Sequence, residues 1–259
     1  MNFFESILLG IIQGATEFFP VSSSGHLIIF RKIFNITEMS LILEVALHIG
    51  TLFSILFFWF NDYVKEIKKV ASGNIELLIK VFIGCLPAAI VGFFFKDSIR
   101  QFFYDINSTT SYLIIAYMFM SLLLFITRLY KNNKNDTISY MHALLIGVMQ
   151  AVAIIPGISR SGITIAAALI LGISFKKSME FSFMLVVPIL IFAGFDTIIS
   201  EYNLVIKDAN LFLGIISSFL SGYFFLSLLN KIIINNKFWF FSFYCLLISI
   251  LLLSFSYGQ

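Results

Sequence analysis

The chain has 259 residues, of which 59% are apolar and 17% aromatic, while only 12% are charged, 17 basic against 14 acidic, for a net charge of +3. Soluble domains run at about 25% charged residues, so a soluble enzyme is excluded, and the same apolar content excludes a disordered chain. The basic residues are scattered through connecting segments, which excludes a nucleic-acid patch, and Cys85 and Cys245 lie inside apolar runs, where they read as small buried hydrophobes and not as a disulfide framework.

The expected solvent is a bilayer, and the elements follow in chain order. Met1 to Glu5 carries no Lys or Arg ahead of its apolar stretch and no small-residue cleavage pattern follows, so the start does not read as a signal peptide. Residues 3–30 are long enough for one span but are broken at mid-depth by Pro20-Val21-Ser22-Ser23-Ser24-Gly25-His26. A straight lipid-facing helix would place those hydroxyls in hydrocarbon, so the segment is expected to be two half-helices meeting at a loop buried in protein. Spans of roughly 20 apolar residues are expected at about 41–60, 75–95 and 111–130. A second broken region, 140–173, is interrupted by Pro156-Gly157-Ile158-Ser159-Arg160-Ser161-Gly162, and spans are expected after it at about 178–199, 210–230 and 238–257. Pro87 and Pro188 read as helix kinks, and Asp196 as an interfacial residue near the end of its span.

The two broken regions match each other at a constant separation of 137 residues: Gly10 with Gly147, Gln13 with Gln150, Ser22 with Ser159, Ser24 with Ser161 and Gly25 with Gly162. A shared offset over five polar or small positions predicts a duplicated unit, a re-entrant helical hairpin followed by three spans. Three is odd, so the second copy is inverted and the broken helices of both halves meet near the midplane. The fold expected is an all-α integral membrane protein forming one domain over 1–259, with repeat 1 at about 1–130 and repeat 2 at about 138–259. Lys65, Lys68, Lys69, Arg128, Lys131, Lys134, Lys176, Lys177, Lys231 and Lys237 collect on one side, against Arg31, Lys32, Lys96, Arg100 and Lys207 on the other, with Lys80 and Arg160 left out of the comparison. The positive-inside rule makes the first side cytoplasmic, placing both termini and the first hairpin outside and the second hairpin on the cytoplasmic side.

Arg160 is the strongest chemical signal, because a guanidinium at membrane depth persists only with partners or a function. It opens a helix within a Ser-Arg-Ser-Gly turn, where free N–H groups and the helix dipole also favour an anion. Ser159, Ser161 and Thr164 add hydroxyls and Gly157 and Gly162 allow close backbone approach, which together make a phosphate cradle. The alternative is a structural tie between helices. In the first cluster Gln13 and Glu17 share a helical face, followed by Ser22, Ser23, Ser24, Gly25 and His26. Their oxygens suit Mg²⁺ or Ca²⁺ bridging phosphate oxygens, His26 suits a general acid or nucleophile, and Ser23 a nucleophile or donor. The alternative here is a Glu17–Arg160 ion pair that only locks the halves together. Glu44 and His48, also four apart, either extend the site and relay a proton or are an interfacial residue and a hydrogen-bonded helix contact. Glu180 begins the equivalent span of the second half and is a weaker candidate.

The run Gln13-Gly14-Ala15-Thr16-Glu17-Phe18-Phe19-Pro20-Val21-Ser22-Ser23-Ser24-Gly25-His26-Leu27, with Leu47-His48-Ile49-Gly50-Thr51 and Pro156-Gly157-Ile158-Ser159-Arg160-Ser161-Gly162-Ile163-Thr164, resembles the bacterial undecaprenyl-diphosphate phosphatases of the bacitracin-resistance type. The resemblance covers the whole chain in length and layout. It implies a multi-pass enzyme of the bacterial cytoplasmic membrane; the diphosphate is expected to enter between the hairpins from the outer leaflet, with the active site open to the periplasmic side. Such an enzyme removes the terminal phosphate of a C55 isoprenyl diphosphate, recycling the carrier lipid for peptidoglycan synthesis, and depends on a divalent cation. It also implies that Glu17, Ser23, His26 and Arg160 are essential, with Ser22, Ser159, Ser161 and Thr164 around the phosphate and Glu17 and Gln13 at the metal. Two departures stand out: Gln13 occupies a position where many members have Glu, and Cys245 follows Tyr244 where members usually carry Arg. The partners expected are the C55 lipid and the bilayer, with homo-oligomerisation admissible. The rival function is a flippase for the lipid monophosphate, binding with the same Arg160 and hydroxyls without cleaving. Glu17 beside His26 argues for cleavage, since anion binding gains little from an adjacent carboxylate.

Overall fold

The computed structural model describes residues 3–34, 41–103, 109–130, 135–200 and 209–257, which are helices joined by turns and short irregular segments. The first broken region forms α1 (Phe3–Phe18) and α2 (Ser23–Ile33), followed by α3 (Leu41–Phe58), α4 (Phe60–Ala71), α5 (Glu76–Phe103) and α6 (Thr109–Ile126). The second broken region forms α7 (Tyr140–Val152) and α8 (Arg160–Ile170), followed by α9 (Phe175–Ser200), α10 (Ala209–Ile234) and α11 (Phe241–Tyr257). Among the described residues four helices are long and apolar enough to cross a membrane, and a fifth span is added if α3 and α4 are taken as one bent pair. The chain is a multi-pass membrane protein. Pro87 and Pro188 lie inside α5 and α9, while the side chain of Asp196, and Lys131, Lys134 and Lys207, lie outside the described residues.

Both breaks follow from local chemistry. After α1 the chain turns at Pro20 and Ser22, whose φ of 65° is left-handed for a non-glycine residue and costs about 1–3 kcal/mol. Ser22 then caps α2, its Oγ accepting from the Gly25 N–H at 3.3 Å. Between α7 and α8 Gly157 takes a φ of 92°, a conformation glycine adopts without Cβ strain. Ser159 caps α8 by accepting from the Gly162 N–H at 3.1 Å.

Small residues let the helices come close, as lipid-immersed packing requires. Helix α1 lies against α10 and α3, α7 against α5, and α6 against α11, with α8 held between α6, α7 and α9. Serine hydroxyls cross these contacts to satisfy neighbouring carbonyls: Ser218 donates to Leu47 at 2.7 Å, Ser54 to Phe219 at 2.8 Å and Ser221 to Ile11 at 2.9 Å. A Cβ on Gly14 would come within 2.5 Å of the Gly222 nitrogen and 2.6 Å of the Ser218 carbonyl oxygen, both backbone atoms of α10. Gly14→Ala is therefore expected to destabilise the protein by about 1–3 kcal/mol, as overpacking does, read as a lower Tm in detergent.

One element lies beyond the span pattern. The segment after Trp59, read from sequence as a charged connection, is the amphipathic helix α4, set at 77° to α3. None of its residues is buried. Phe60 and Ile67 are 63% and 67% exposed, while Lys65 pairs with Asp62 at 3.1 Å and Lys69 with Glu66 at 2.7 Å. That combination of exposed apolar and charged faces suits the plane where acyl chains meet headgroups.

Candidate active site

The two interrupted helices bring the N-termini of α2 and α8 to one cavity of about 260 Å³. Its polar lining is Glu17, Ser22, Ser23, Ser24, Glu44, His48, Ser159 and Arg160, and Ile158, Val186, Ile189 and Leu190 contribute to an apolar wall. A polar pocket with one apolar wall suits an amphiphile with an anionic end.

Glu17 is its centre. Its Oε1 accepts from Arg160 Nη2 at 2.9 Å, and its Oε2 accepts from Ser23 Oγ at 2.7 Å and from Gln13 Nε2 at 3.0 Å. His48 Nε2 lies 3.7 Å from the same Oε2, while its Nδ1 donates to the Glu44 carbonyl at 2.7 Å. The ion pair named above as an alternative is thus present, with Ser23 bonded to its carboxylate. Glu17 and Arg160 keep only 7% and 16% of their side-chain surface, and pairing makes their burial tolerable. Arg160 also stands over the Phe183 ring, 5.7 Å from its centroid, and Nη1 donates to the Ser182 carbonyl at 3.5 Å.

Several residues proposed from sequence lie behind this surface. Gln13 is fully buried and does not line the cavity; it holds Glu17 from the rear, and its Oε1 has no hydrogen-bond partner among the described residues. Ser161 Oγ reaches the Glu17 and Phe19 carbonyls, each at 3.4 Å, tying the two loops together. Thr164 Oγ1 donates to the Arg160 carbonyl at 2.8 Å and meets Ser182 Oγ at 2.6 Å. Gly25, Gly157 and Gly162 admit close neighbours: a Cβ on Gly25 would sit 2.5 Å from the Tyr117 hydroxyl, one on Gly157 2.8 Å from Ala116, and one on Gly162 2.6 Å from Met120. Glu180 is apart from the site, pairing with Lys177 at 3.2 Å around a separate small cavity.

His26 also lies off the cavity. It is 4% exposed, with Nδ1 2.8 Å from the Ser22 carbonyl oxygen and 3.0 Å from Tyr117 Oη, and Nε2 2.7 Å from Tyr244 Oη. The Tyr244 ring stacks on the imidazole at 5.7 Å between centroids, and Tyr117 meets it edge-on. Sequence reasoning missed both tyrosines, which reach His26 from α6 and α11. Only Tyr244 stood beside a flagged position, Cys245, whose Sγ lies buried 3.5 Å from the Pro20 carbonyl.

A family model described as bacitracin resistance protein BacA matches residues 6–251. The chain belongs to that family. It is 39% identical over 254 residues to an undecaprenyl-diphosphatase of Methanococcus vannielii, covering 95% of this chain and 97% of that protein. Undecaprenyl-diphosphatases of Thermosipho africanus and Carboxydothermus hydrogenoformans are 39% and 34% identical over 251 and 263 residues, covering 95% and 98% of this chain and 97% of each relative.

Proposed function

We propose that this protein is an undecaprenyl-diphosphatase, a membrane hydrolase that releases the terminal phosphate of a C55 isoprenyl diphosphate and leaves the lipid monophosphate. The observation that carries the reading is the Ser23 hydroxyl, bonded at 2.7 Å to the carboxylate that Arg160 holds at 2.9 Å, in a cavity shared by two helix N-termini. The matched relatives are named for the same hydrolysis, which favours cleavage over transport.

In this reading the diphosphate sits between the N-termini of α2 and α8, while the prenyl chain follows the apolar wall of Val186, Ile189 and Leu190. Arg160 turns from Glu17 toward the transferring phosphoryl group, where countercharge is the main lever on rate. Ser23 Oγ attacks the terminal phosphorus as its proton passes to Glu17 Oε2, and the bond to the bridging oxygen breaks, releasing the lipid monophosphate. Glu17 gives that proton up to solvent; it then takes a proton from the water that attacks the phosphoserine and returns it to Ser23 Oγ as the Oγ–P bond breaks and inorganic phosphate leaves. Among the described residues no group of three or more metal-ligating side chains forms; Glu17 and Glu44, the two carboxylates lining the cavity, would be the residues to hold a divalent cation together with substrate phosphates. Held there, Mg²⁺ or Ca²⁺ would supply countercharge to the diphosphate. Gln13, lying behind Glu17, serves to hold that carboxylate in place.

The finer architecture belongs to the same reading: an inverted repeat of two hairpins and six spans, in a cytoplasmic membrane, with the cavity opening outward. In its support, the first hairpin's α1 packs on α10 of the second half, while α7 of the second hairpin packs on α5 of the first. The matched glutamines behave alike, since Gln150 is buried as Gln13 is and its Oε1 also has no partner.

Detergent-purified protein incubated with the C55 diphosphate is expected to release phosphate with Mg²⁺ or Ca²⁺ and to lose that release in chelator. No release from folded protein that still binds the lipid would overturn the phosphatase reading in favour of transport.

A further inference from the structure

The position of His26 separates two roles that its place in the motif leaves merged. A group that protonates or deprotonates the reacting phosphate must reach it, yet His26 is buried outside the cavity lining. Its hydrogen bonds show what it does reach. The Ser22 carbonyl oxygen can only accept, so the Nδ1 atom 2.8 Å away carries the ring hydrogen. Nε2 then accepts from the Tyr244 hydroxyl at 2.7 Å. Both ring nitrogens are engaged within the protein, and the Tyr117 hydroxyl oxygen, 3.0 Å from Nδ1, is a second contact of the same nitrogen.

The carbonyl that His26 grips has a partner of its own. The C=O of Ser22 and the N–H of Ser23 belong to one planar trans peptide and point in opposite directions. Drawing the carbonyl toward His26 directs the Ser23 N–H outward from the start of α2, where Ser22, Ser23 and Ser24 line the cavity. As the first residues of α2, Ser23 and Ser24 have N–H groups with no acceptor in their own helix, and such groups bind phosphate. The His26 backbone N–H also reaches this carbonyl, at 3.2 Å, and the imidazole adds a second, shorter hold on a peptide whose Ser22 stands at a φ of 65°.

We infer that His26 is a positioning residue, which, with Tyr244 as its anchor, orients the Ser22–Ser23 peptide so that the Ser23 N–H faces the phosphate. This rests on the phosphatase reading and assigns within it a role for Tyr244 and a non-chemical role for the histidine.

Two replacements of His26 separate positioning from proton transfer. The amide nitrogen of Asn falls where Nδ1 stands and can still donate to the Ser22 carbonyl, whereas that of Gln falls nearer to Nε2. In phosphate release from the C55 diphosphate, His26→Asn is expected to stay within about tenfold of the unaltered protein with the same pH profile, and His26→Gln to lose about 100-fold, the scale of one lost oxyanion donor. Tyr244→Phe is expected to lower the rate severalfold in the unaltered protein and to have no effect in the His26→Asn background, which has no Nε2 to anchor. Equal inactivity of the Asn and Gln variants, both folded, would overturn the inference and make His26 an acid or base. ¹⁵N-histidine spectra in micelles, with the His26 signal assigned by its loss in His26→Asn, should show the Nδ1–H tautomer; an Nε2–H tautomer would also overturn it. If the unaltered protein releases no phosphate, the phosphatase reading fails, while the tautomer measurement still decides the placement of His26.

Discussion

Replacing Arg160 with alanine is expected to lower phosphate release by about 10³-fold or more, the scale on which a single arginine acts in phosphoryl transfer. Arg160 is the cationic side chain in the cavity lining apart from any charge on His48, and its fork can hold two phosphate oxygens at once. Arg160→Lys keeps the charge and loses the fork, so an intermediate loss is expected. The same substitutions carry a folding cost that must be read apart from the chemistry. Arg160→Ala leaves Glu17 buried without its 2.9 Å partner, and breaking a buried pair from one side costs about 3–5 kcal/mol. The Tm of Arg160→Ala in detergent should therefore fall, and Glu17→Gln combined with Arg160→Met should recover most of it without restoring turnover. An Arg160→Ala protein that keeps full activity would remove the cradle from the mechanism.

Ser23→Ala is expected to be nearly as severe in rate and mild in stability. It removes the attacking oxygen, a loss that in nucleophilic enzymes leaves only the catalysis of the binding site itself, and a fall of about 10³-fold or more follows. Glu17 retains Arg160 and Gln13 as partners, so the fold should tolerate the change. Ser24 provides the contrast: it lines the same cavity, but its Oγ meets Ser22 Oγ at 3.2 Å and makes no bond to the carboxylate. Ser24→Ala should cost about two- to tenfold, the worth of one ordinary hydrogen bond. Single-turnover phosphate release separates these outcomes. A Ser23→Ala enzyme with most of its rate would transfer the attack to water.

The sequence was most informative where structure is decided locally. The breaks at Pro20 and Gly157 fall within the clusters that announced them, because proline, a positive-φ glycine and serine caps act over a few residues. The Glu17–Arg160 pairing was also legible, since two polar groups at membrane depth in one chain have few other partners. The turn at Trp59 was hidden: it contains no proline or glycine, and charges after an apolar run read equally as a loop or as an interfacial helix. Tyr117 and Tyr244 were hidden for a different reason. They approach His26 across 91 and 218 residues of chain, and a tyrosine in an apolar helix shows no sign of what its hydroxyl will meet. Gln13 stood at the right place in the motif, but only the packing of α1 on α10 shows that it supports Glu17 from behind.

The bend at Trp59 bears on how the enzyme sits in its lipid. Helix α3 carries Glu44 and His48 near one end and continues into α4 at the other, and its 18 residues span about 27 Å, slightly less than the hydrocarbon depth of about 30 Å. If α3 slid along the membrane normal, Phe60 and Ile67 would be pulled into water or Lys65 and Lys69 pushed into oil. Lying in the interface, helix α4 would work as a float for the reactive groups, so that bilayer thickness would tilt α3 more easily than raise or lower it. The height at which a diphosphate enters would then be set by a helix that contributes no residue to the cavity lining.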